Sequence, residues 1–456
     1  MRSIRGWIEL AALLLMVSGC AVRNEPSAEF LTRYPPIVFV HGNGDNEGVW
    51  QTLAWRYESN GWPADRLFAI NLPYPLARDD NAVPQSERSS AEEFTAALKE
   101  KVEQVRASTG VSLVVLIGNS RGGYPIRRYV RDTNGATVLA AILCGTPNHG
   151  VWAGDYKPGN EANGKGPWLT DLNQPQGPLG LEVTPGVRFL TLRSDGYDKY
   201  AQPTGIWLGQ PELATHVTAD GPALRGAINE VLPKADHRET AFSEASFEAQ
   251  FRFLTGALPQ KHEIVAQDHV TLAGRVSRLT EKQVTNLPLA GAQLKIFPVD
   301  AQSGERSSEA IWDHSVGADG RFGPVEALPN VYYEFVIEAP GYAITHVYRS
   351  PFLRSSDWID LRPVQLEARD LDAQSIVMMV RPRGYFGAQR DTMSLDGQPL
   401  AGINGPVPGV SSSKIAVTSP SPTAPRTVIA QFNQERIAVL AWPTAQGHFV
   451  IAELSD

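Results

Sequence analysis

Short apolar runs alternate with amphipathic segments through the first half of the chain. Five uninterrupted or nearly uninterrupted runs lie at residues 36–40, 67–72, 112–117, 137–143 and 187–192. Runs of this length are typical of strands that are buried on both faces, as in a parallel sheet. Residues 90–109 instead carry their apolar side chains on one helical stripe, and Ser90 with Glu93 fits a capping box. The pattern predicts an α/β core, a mostly parallel sheet with helices on both faces.

The periodicity changes after about residue 261. Residues 292–296 and 333–337 alternate between apolar and polar positions, and Asp319-Gly320 is a hairpin turn signal. We therefore predict that an all-β region follows the α/β core. Residues 261–368 are expected to form a small β-sandwich that resembles the prealbumin-like modules of secreted enzymes, and residues 369–456 a further β domain. Whether the two pieces form one sheet system or two stays open.

The first twenty residues have the pattern of an export signal. Arg2 and Arg5 give a positive start, and the apolar run at residues 10–17 is too short to cross about 30 Å of hydrocarbon as a helix. The run ends in Val17-Ser18-Gly19-Cys20, which resembles the bacterial lipoprotein box. That resemblance implies a signal peptide at 1–19, lipidation of Cys20 and a tether at 20–34. A plain secretory peptide is the alternative, so the protein is expected to be a membrane-anchored lipoprotein of the cell envelope or secreted.

Composition narrows the remaining function classes. The length of 456 residues suggests two or three domains. The net charge is −8, and the sequence contains no basic patch that would favour nucleic acid as a partner. There are only two cysteines, Cys20 and Cys144, and no Cys/His cluster has the spacing of metal ligands. We expect neither a metal nor an organic cofactor.

The strongest chemical motif is Gly118-Asn119-Ser120-Arg121-Gly122, a G-x-S-x-G sequence. An apolar run precedes it and a predicted helix follows it, which is the context of a serine nucleophile on a sharp strand-to-helix turn. The helix N-terminus also places a positive dipole end where negative charge develops on an attacked carbonyl. Ser120 is therefore the predicted nucleophile.

A second motif, His41-Gly42-Asn43-Gly44, follows the first predicted strand. It resembles the H-G-x-G segment of lipases, whose loop supplies one N–H group of the oxyanion hole. The resemblance implies the backbone N–H groups of Asn43 and Arg121 as the two donors. His41 precedes the nucleophile, contrary to the order Ser, acid, His, and is interpreted as structural.

These motifs together resemble bacterial and archaeal lipases and esterases of the α/β-hydrolase superfamily over residues 35–256, which implies a catalytic domain at 35–258. Such enzymes carry an acid in the loop after the predicted strand at 187–192, often five residues before a proline, which matches Asp198. Asp195 is the alternative, because it lies closer to the strand. The expected base is His237, just ahead of the last helix; His216 is interpreted as a surface histidine, and Asp236 points elsewhere.

Three further features lie within the predicted core. Cys144 is interpreted as a small buried thiol at a strand end. Thr146-Pro147-Asn148-His149-Gly150 is similar to the T-P-H-x-G stretch of bacterial lipases, with His149 interpreted as structural. Residues 151–186 occupy the position where this fold inserts a lid or cap, and their apolar residues suit a surface over acyl chains. Simple packing over the sheet edge is the alternative for that segment.

The resemblance implies a serine hydrolase that cleaves carboxylic esters, a lipase or carboxylesterase, through a Ser-Asp-His triad and an acyl-enzyme. Its partners would be an ester or lipid substrate and, through Cys20, a bacterial membrane. A polyester depolymerase, an amidase or an acyltransferase would share the triad, and a non-catalytic binding lipoprotein would share the fold. Sequence alone does not separate these alternatives.

Overall fold

A six-stranded sheet forms the centre of the α/β core in the computed structural model, which describes residues 34–280, 283–419 and 424–455. The signal peptide, Cys20 and nearly all of the tether lie outside the described residues. Its strands are β1 Ile37–Val40, β2 Leu67–Ala69, β3 Val114–Asn119, β4 Val138–Cys144, β5 Arg188–Ser194 and β8 Ile228–Leu232. They lie in the order β2-β1-β3-β4-β5-β8, and every neighbouring pair is parallel. The fold class predicted from the apolar runs is confirmed.

β8 is the strand that the apolar runs do not include. It lies at the sheet edge, and its Ile228 and Val231 are exposed. An edge strand that is solvated in this way does not need an uninterrupted apolar sequence. A short hairpin, β6 Thr204–Gly205 and β7 Gln210–Ala214, separates β5 from β8.

Helices cover both faces of the sheet. They are α1 Gln51–Ser59, α2 Ala91–Thr109, α3 Gly123–Asp132, α4 Pro167–Leu172, α5 Glu239–Phe242 and α6 Glu244–Thr255. One apolar cluster joins α1 and α6 to one face of the strands, and a second joins α2 and α3 to the other face. Helix α2 begins with the predicted capping box, in which Ser90 and Glu93 exchange hydrogen bonds of 3.1 and 2.8 Å. Among the described residues, the helices are all too short or too polar for a bilayer span.

The second half of the chain is built of β strands, as predicted. Its strands are β9 Val270–Leu279, β10 Val284–Pro288, β11 Gln293–Val299, β12 Trp312–Ser315, β13 Arg321–Ala327, β14 Tyr332–Glu338, β15 Ile344–Arg349, β16 Ser356–Leu361, β17 Ser375–Val380, β18 Met393–Leu395, β19 Ser412–Val417, β20 Arg426–Phe432, β21 Glu435–Ala441 and β22 His448–Glu453. They form a seven-stranded sheet in the order β12-β11-β14-β15-β22-β17-β19, a four-stranded sheet of β10, β9, β13 and β16, and a three-stranded sheet of β18, β20 and β21.

The final strand answers the question that the sequence left open. β22 lies between β15 and β17 and pairs with both in parallel. Residues 261–368 and 369–456 therefore share one sheet, and residue 368 does not separate two sheet systems. Sequence periodicity shows that these segments are strands, but it does not show which strand pairs with which.

The β region packs directly on the α/β core. Trp55 of α1 belongs to the apolar cluster of the β region. Arg354 Nε lies 2.7 Å from Glu58 Oε2, and the Asn286 amide donates to the carbonyls of Asp45 and Leu72, at 2.9 Å each. The Asn286 contacts place the β region beside the loops that follow β1 and β2, at the carboxyl ends of the core strands, and the other two contacts extend the interface along α1.

Candidate active site

Ser120 lies at a strained turn between β3 and α3. Its φ is +53°, in the left-handed region that non-glycine residues rarely adopt. The flanking glycines make this turn feasible. A Cβ on Gly122 would lie 2.3 Å from the carbonyl oxygen of Val40, and one on Gly118 would lie 2.7 Å from Cδ1 of Ile126. The spacing of the motif therefore reflects how closely β1, β3 and α3 approach each other.

Ser120, His237 and Asp198 form a continuous chain of hydrogen bonds. His237 Nε2 lies 2.7 Å from Ser120 Oγ, and His237 Nδ1 lies 2.8 Å from Asp198 Oδ2. His237 and Asp198 are buried, whereas Ser120 is partly exposed. The three residues come from the ends of β3, β5 and β8, which the parallel sheet brings to one edge.

The two candidate acids have different surroundings. Asp198 faces His237 with one carboxylate oxygen and accepts the Tyr200 N–H with the other, at 2.8 Å. Asp195 is exposed and accepts the N–H groups of Gly196 and Lys234, at 2.7 and 3.0 Å. Asp195 thus shapes the turn, while Asp198 contacts the imidazole.

Aromatic and cationic side chains lie next to the His237–Asp198 pair. The Tyr200 ring meets the His237 ring edge to face, with 4.6 Å between centroids. Burial lowers the pKa of Lys199 to about 8, and the nearby Arg238 cation contributes to that lowering.

The loop after β1 lies against the turn that carries Ser120. A Cβ on Gly42 would lie 3.2 Å from Cβ of Ser120, so the backbone at residue 42, next to Asn43, passes close to the nucleophile. The Asn43 side chain accepts the Ala77 N–H at 2.7 Å, which fixes the loop. His41 is fully buried and accepts the Leu72 N–H at 3.2 Å through Nε2. That burial lowers the pKa of His41 to about 4, consistent with a neutral structural role.

The side chain of Arg121 forms a buried ion pair that sequence reasoning missed. Its Nε and Nη2 lie 2.5 and 3.0 Å from the two carboxylate oxygens of Glu161, and both side chains are almost completely buried. The guanidinium also donates to Ser89 and to the Pro75 carbonyl. A buried arginine predicts a carboxylate partner, but the sequence gives no sign that this partner lies 40 residues away.

Residues 151–186 are tied to the core at several points. Arg127 of α3 donates to the side chain of Asn173 at 2.7 Å and to the Glu182 carbonyl at 3.1 Å. The apolar residues predicted to cover acyl chains are buried: Trp152, Trp168, Leu169 and Leu172. Three of them, Trp168, Leu169 and Leu172, pack with residues of α2 and α3. In this conformation the segment therefore packs over the core.

The other candidate residues do not contact Ser120. His216 is exposed, His149 pairs with Glu182 at 3.1 Å, and Cys144 is fully buried, which raises the pKa of its thiol. The part of the chain that the structure describes contains no cluster of three or more His, Cys, Asp or Glu that would hold a metal ion. A cavity of about 330 Å³ borders Asp198 and Tyr200.

Comparisons with known proteins agree with the resemblance seen in the sequence. Residues 34–140 match the family model "Lipase (class 2)", and residues 268–366 match "Lipase C-terminal domain". Similar solved structures include the mature lipase BlEst2 of Bacillus licheniformis, 20% identical with a TM-score of 0.35, over 49% of this chain and 93% of that one. A monoacylglycerol lipase of Paleococcus ferrophilus is 14% identical with a TM-score of 0.33, over 50% of this chain and 94% of that one.

The two family matches fall on the two halves that the fold distinguishes, the first on the α/β core and the second on the β region. The chain therefore joins an α/β core that is similar to class 2 lipases over residues 34–140 to a β region that is similar to a lipase C-terminal domain over residues 268–366, and these matches indicate a carboxylic ester hydrolase.

Proposed function

We propose that the protein hydrolyses carboxylic esters through an acyl-enzyme formed on Ser120, with His237 as general base and Asp198 as its orienting acid. The observation that carries the proposal is the hydrogen-bond chain from Ser120 Oγ through His237 to Asp198, at 2.7 and 2.8 Å. A nucleophile, a base and an orienting carboxylate in this sequence of contacts is the arrangement that activates a serine hydroxyl.

Acylation begins when Ser120 Oγ attacks the ester carbonyl and His237 Nε2 takes the hydroxyl proton. Asp198 stabilises the resulting imidazolium through Nδ1–H and fixes the tautomer. The tetrahedral intermediate collapses, the C–O bond to the alcohol breaks, and His237 gives its proton to the departing alkoxide. Water then attacks the acyl-serine with His237 again as base. The C–O bond to Ser120 Oγ breaks, His237 returns its proton to Oγ, and the carboxylic acid leaves.

The oxyanion of each tetrahedral intermediate would be held by the backbone N–H groups of Asn43 and Arg121. Support comes from the close approach of Gly42, the residue before Asn43, to Ser120 and from the position of Arg121 at the first turn after the nucleophile. Donors that are fixed before the reaction stabilise developing charge without reorganisation. The Asn43 side chain and the Arg121 guanidinium are engaged elsewhere, so both donors in this proposal are main-chain groups.

The test is hydrolysis of p-nitrophenyl esters from acetate to palmitate, with the wild type and Ser120→Ala measured side by side. We expect the wild type to hydrolyse part of the series and Ser120→Ala to lose activity while its circular dichroism and melting temperature are retained. The chain length with the highest kcat/KM decides between an esterase and a lipase. Undiminished hydrolysis by folded Ser120→Ala would reject the mechanism.

We also propose that the protein is exported and held at a bacterial membrane through lipidated Cys20. Support comes from the sequence of residues 1–20 alone. Expression in a bacterium that is fed labelled palmitate should label the wild type, which should enter the detergent phase of a Triton X-114 separation. Cys20→Ser should carry no label and remain in the aqueous phase, and equal labelling of both would overturn the proposal.

A further inference from the structure

The residue before the proposed base carries a completely buried carboxylate. Asp236 has no exposed surface, and its Oδ1 accepts the N–H groups of Arg238 and Glu239, at 2.8 and 3.0 Å. These bonds fold residues 236–239 into the turn that holds His237 at the start of α5. A buried carboxylate is stable only with compensating charge and donors for its other oxygen.

That compensation comes from the β region. Asp236 Oδ2 accepts the Tyr385 N–H at 2.7 Å and lies 3.3 Å from both Arg381 Nη1 and Arg390 Nη2. All three residues belong to residues 381–391, which follow β17; we call this stretch the 381–391 segment. The turn that carries His237 is thus held by residues about 145 to 154 positions later in the chain.

Glu239 gives the same two arginines a second carboxylate partner on the turn. Arg381 Nη2 lies 2.7 Å from Glu239 Oε1, and Arg390 Nη1 pairs with Glu239 Oε2. Burial and the nearby Asp236 carboxylate raise the pKa of Glu239. Arg390 also pairs with Asp391 of its own segment, with 3.0 Å between Nε and Oδ1, so the two guanidiniums face three carboxylates at this site.

The His237 turn makes a further contact with the β region through Arg238, and the loop of Asp198 contacts it through Lys199. Arg238 pairs with Asp45, just beyond the Asn43 loop, and donates to the Pro382 carbonyl at 2.7 Å. Lys199, next to Asp198, lies 4.0 Å from the centroid of the Tyr385 ring and donates to the Gly409 carbonyl at 2.9 Å.

We propose that Arg381 and Arg390 are positioning residues for ester hydrolysis, acting through Asp236 and Glu239 to hold His237 in line with Ser120. The proposal rests on the function proposed above. It makes the β region part of the catalytic apparatus, because the guanidiniums that pair with Asp236 and Glu239 belong to the 381–391 segment. Small displacements of a base cost much rate, since proton transfer needs hydrogen-bond geometry.

The decisive comparison is between Arg390→Met and Arg354→Met. Both arginines have side chains that are 15% exposed, and each pairs with a carboxylate of the α/β core. Arg354 pairs with Glu58, which belongs to α1 and does not contact the triad. The control therefore removes an ion pair between the β region and the α/β core that lies on α1 and not on the turn that carries His237.

Each variant is measured under conditions where its melting curve shows it to be fully folded. For Arg390→Met we expect kcat on p-nitrophenyl acetate to fall about 10- to 100-fold with KM little changed. Phosphonylation of Ser120 by a fluorophosphonate should slow in parallel, because it requires the same base. Arg390→Lys should recover part of the rate, and Arg354→Met should keep the wild-type kcat.

Equal kcat values for folded Arg390→Met and Arg354→Met would overturn the positioning role and leave a purely structural contact. If Arg390→Met does not fold, Arg390→Lys against Arg354→Lys decides by the same criterion. Failure of the proposed function is recognised separately, by hydrolysis that survives in Ser120→Ala.

Discussion

Asp198 and Asp195 lie three residues apart on one loop, yet only Asp198 contacts His237. Asp198→Asn leaves an amide that no longer selects the correct imidazole tautomer, so we expect kcat to fall by about 10³-fold or more. Asp195→Asn keeps one carbonyl oxygen for the turn, and we expect a change in kcat of no more than a few-fold. Both are measured as kcat on a p-nitrophenyl ester, with melting temperatures as the folding control. A larger loss in Asp195→Asn than in Asp198→Asn would exchange the two roles.

The residues of the proposed triad can be identified from sequence because each belongs to a local pattern. Ser120 lies in a glycine-flanked motif, and Asp198 and His237 follow in the chain order of the resembling family. The structure brings the three within hydrogen-bond distance of each other, and their catalytic roles stay a prediction. Glu161 and Asp236 have no such motif. Their importance arises from partners distant in sequence, Arg121 in one case and the 381–391 segment in the other.

At the scale of elements, Arg121 and Glu161 join the turn after β3 to residues 151–186. Glu161→Gln would leave a buried guanidinium without its counter-charge, and removing one partner of a buried pair costs about 3–5 kcal/mol. We expect a corresponding loss in the free energy of unfolding, measured in urea. Because the Arg121 side chain is turned toward Glu161, the ester chain length with the highest kcat/KM should not change. A shifted optimum with unchanged stability would instead place this pair at the acyl site.

Sequence predicts an element well when its pattern of apolar and polar residues reflects the same kind of burial along the whole element. The buried strands β1, β3, β4 and β5 coincide with apolar runs, and α2 has its stripe and its capping box. For residues 151–186 the sequence does not distinguish a lid from packing over the core, because buried packing residues and an apolar surface over substrate have the same composition. Only the contacts of this segment with α2 and α3 distinguish the two.

For the whole molecule, sequence periodicity predicted an α/β half and a β half, and it did not predict how they join. β22, the last strand among the described residues, pairs with β15, which lies about a hundred residues earlier in the chain, and so completes the seven-stranded sheet. The Arg354–Glu58 pair and the contacts of Arg381 and Arg390 are similarly long-range. Pairings at this sequence separation depend on the complete fold, so no local pattern records them.

A buried polar network crosses the strands that unite the β region. His346 of β15 lies 2.7 Å from Glu334 of β14 and 2.8 Å from His448 of β22. Partial burial, together with the neighbouring His346, lowers the pKa of His448 to about 4, although the carboxylates of Glu334 and Glu338 act in the opposite direction. The network therefore favours a neutral His448 at the junction between the two halves of the seven-stranded sheet.

This lowered pKa predicts an acid-sensitive junction. An unfolded histidine titrates near pH 6.5, so between about pH 6.5 and 4 the unfolded chain binds a proton at His448 that the folded protein excludes. Stability should consequently fall as the pH drops through this window. His41, with a pKa also lowered to about 4, contributes in the same direction, so His448→Gln should reduce the pH dependence of stability without abolishing it.

The free energy of unfolding in urea, measured at pH 4.5 and 7, should differ less between the two pH values for His448→Gln than for the wild type. His314→Gln, on the exposed edge strand β12, serves as the control and should behave as the wild type. An unchanged pH dependence in His448→Gln would mean that His448 does not exclude a proton in the folded protein.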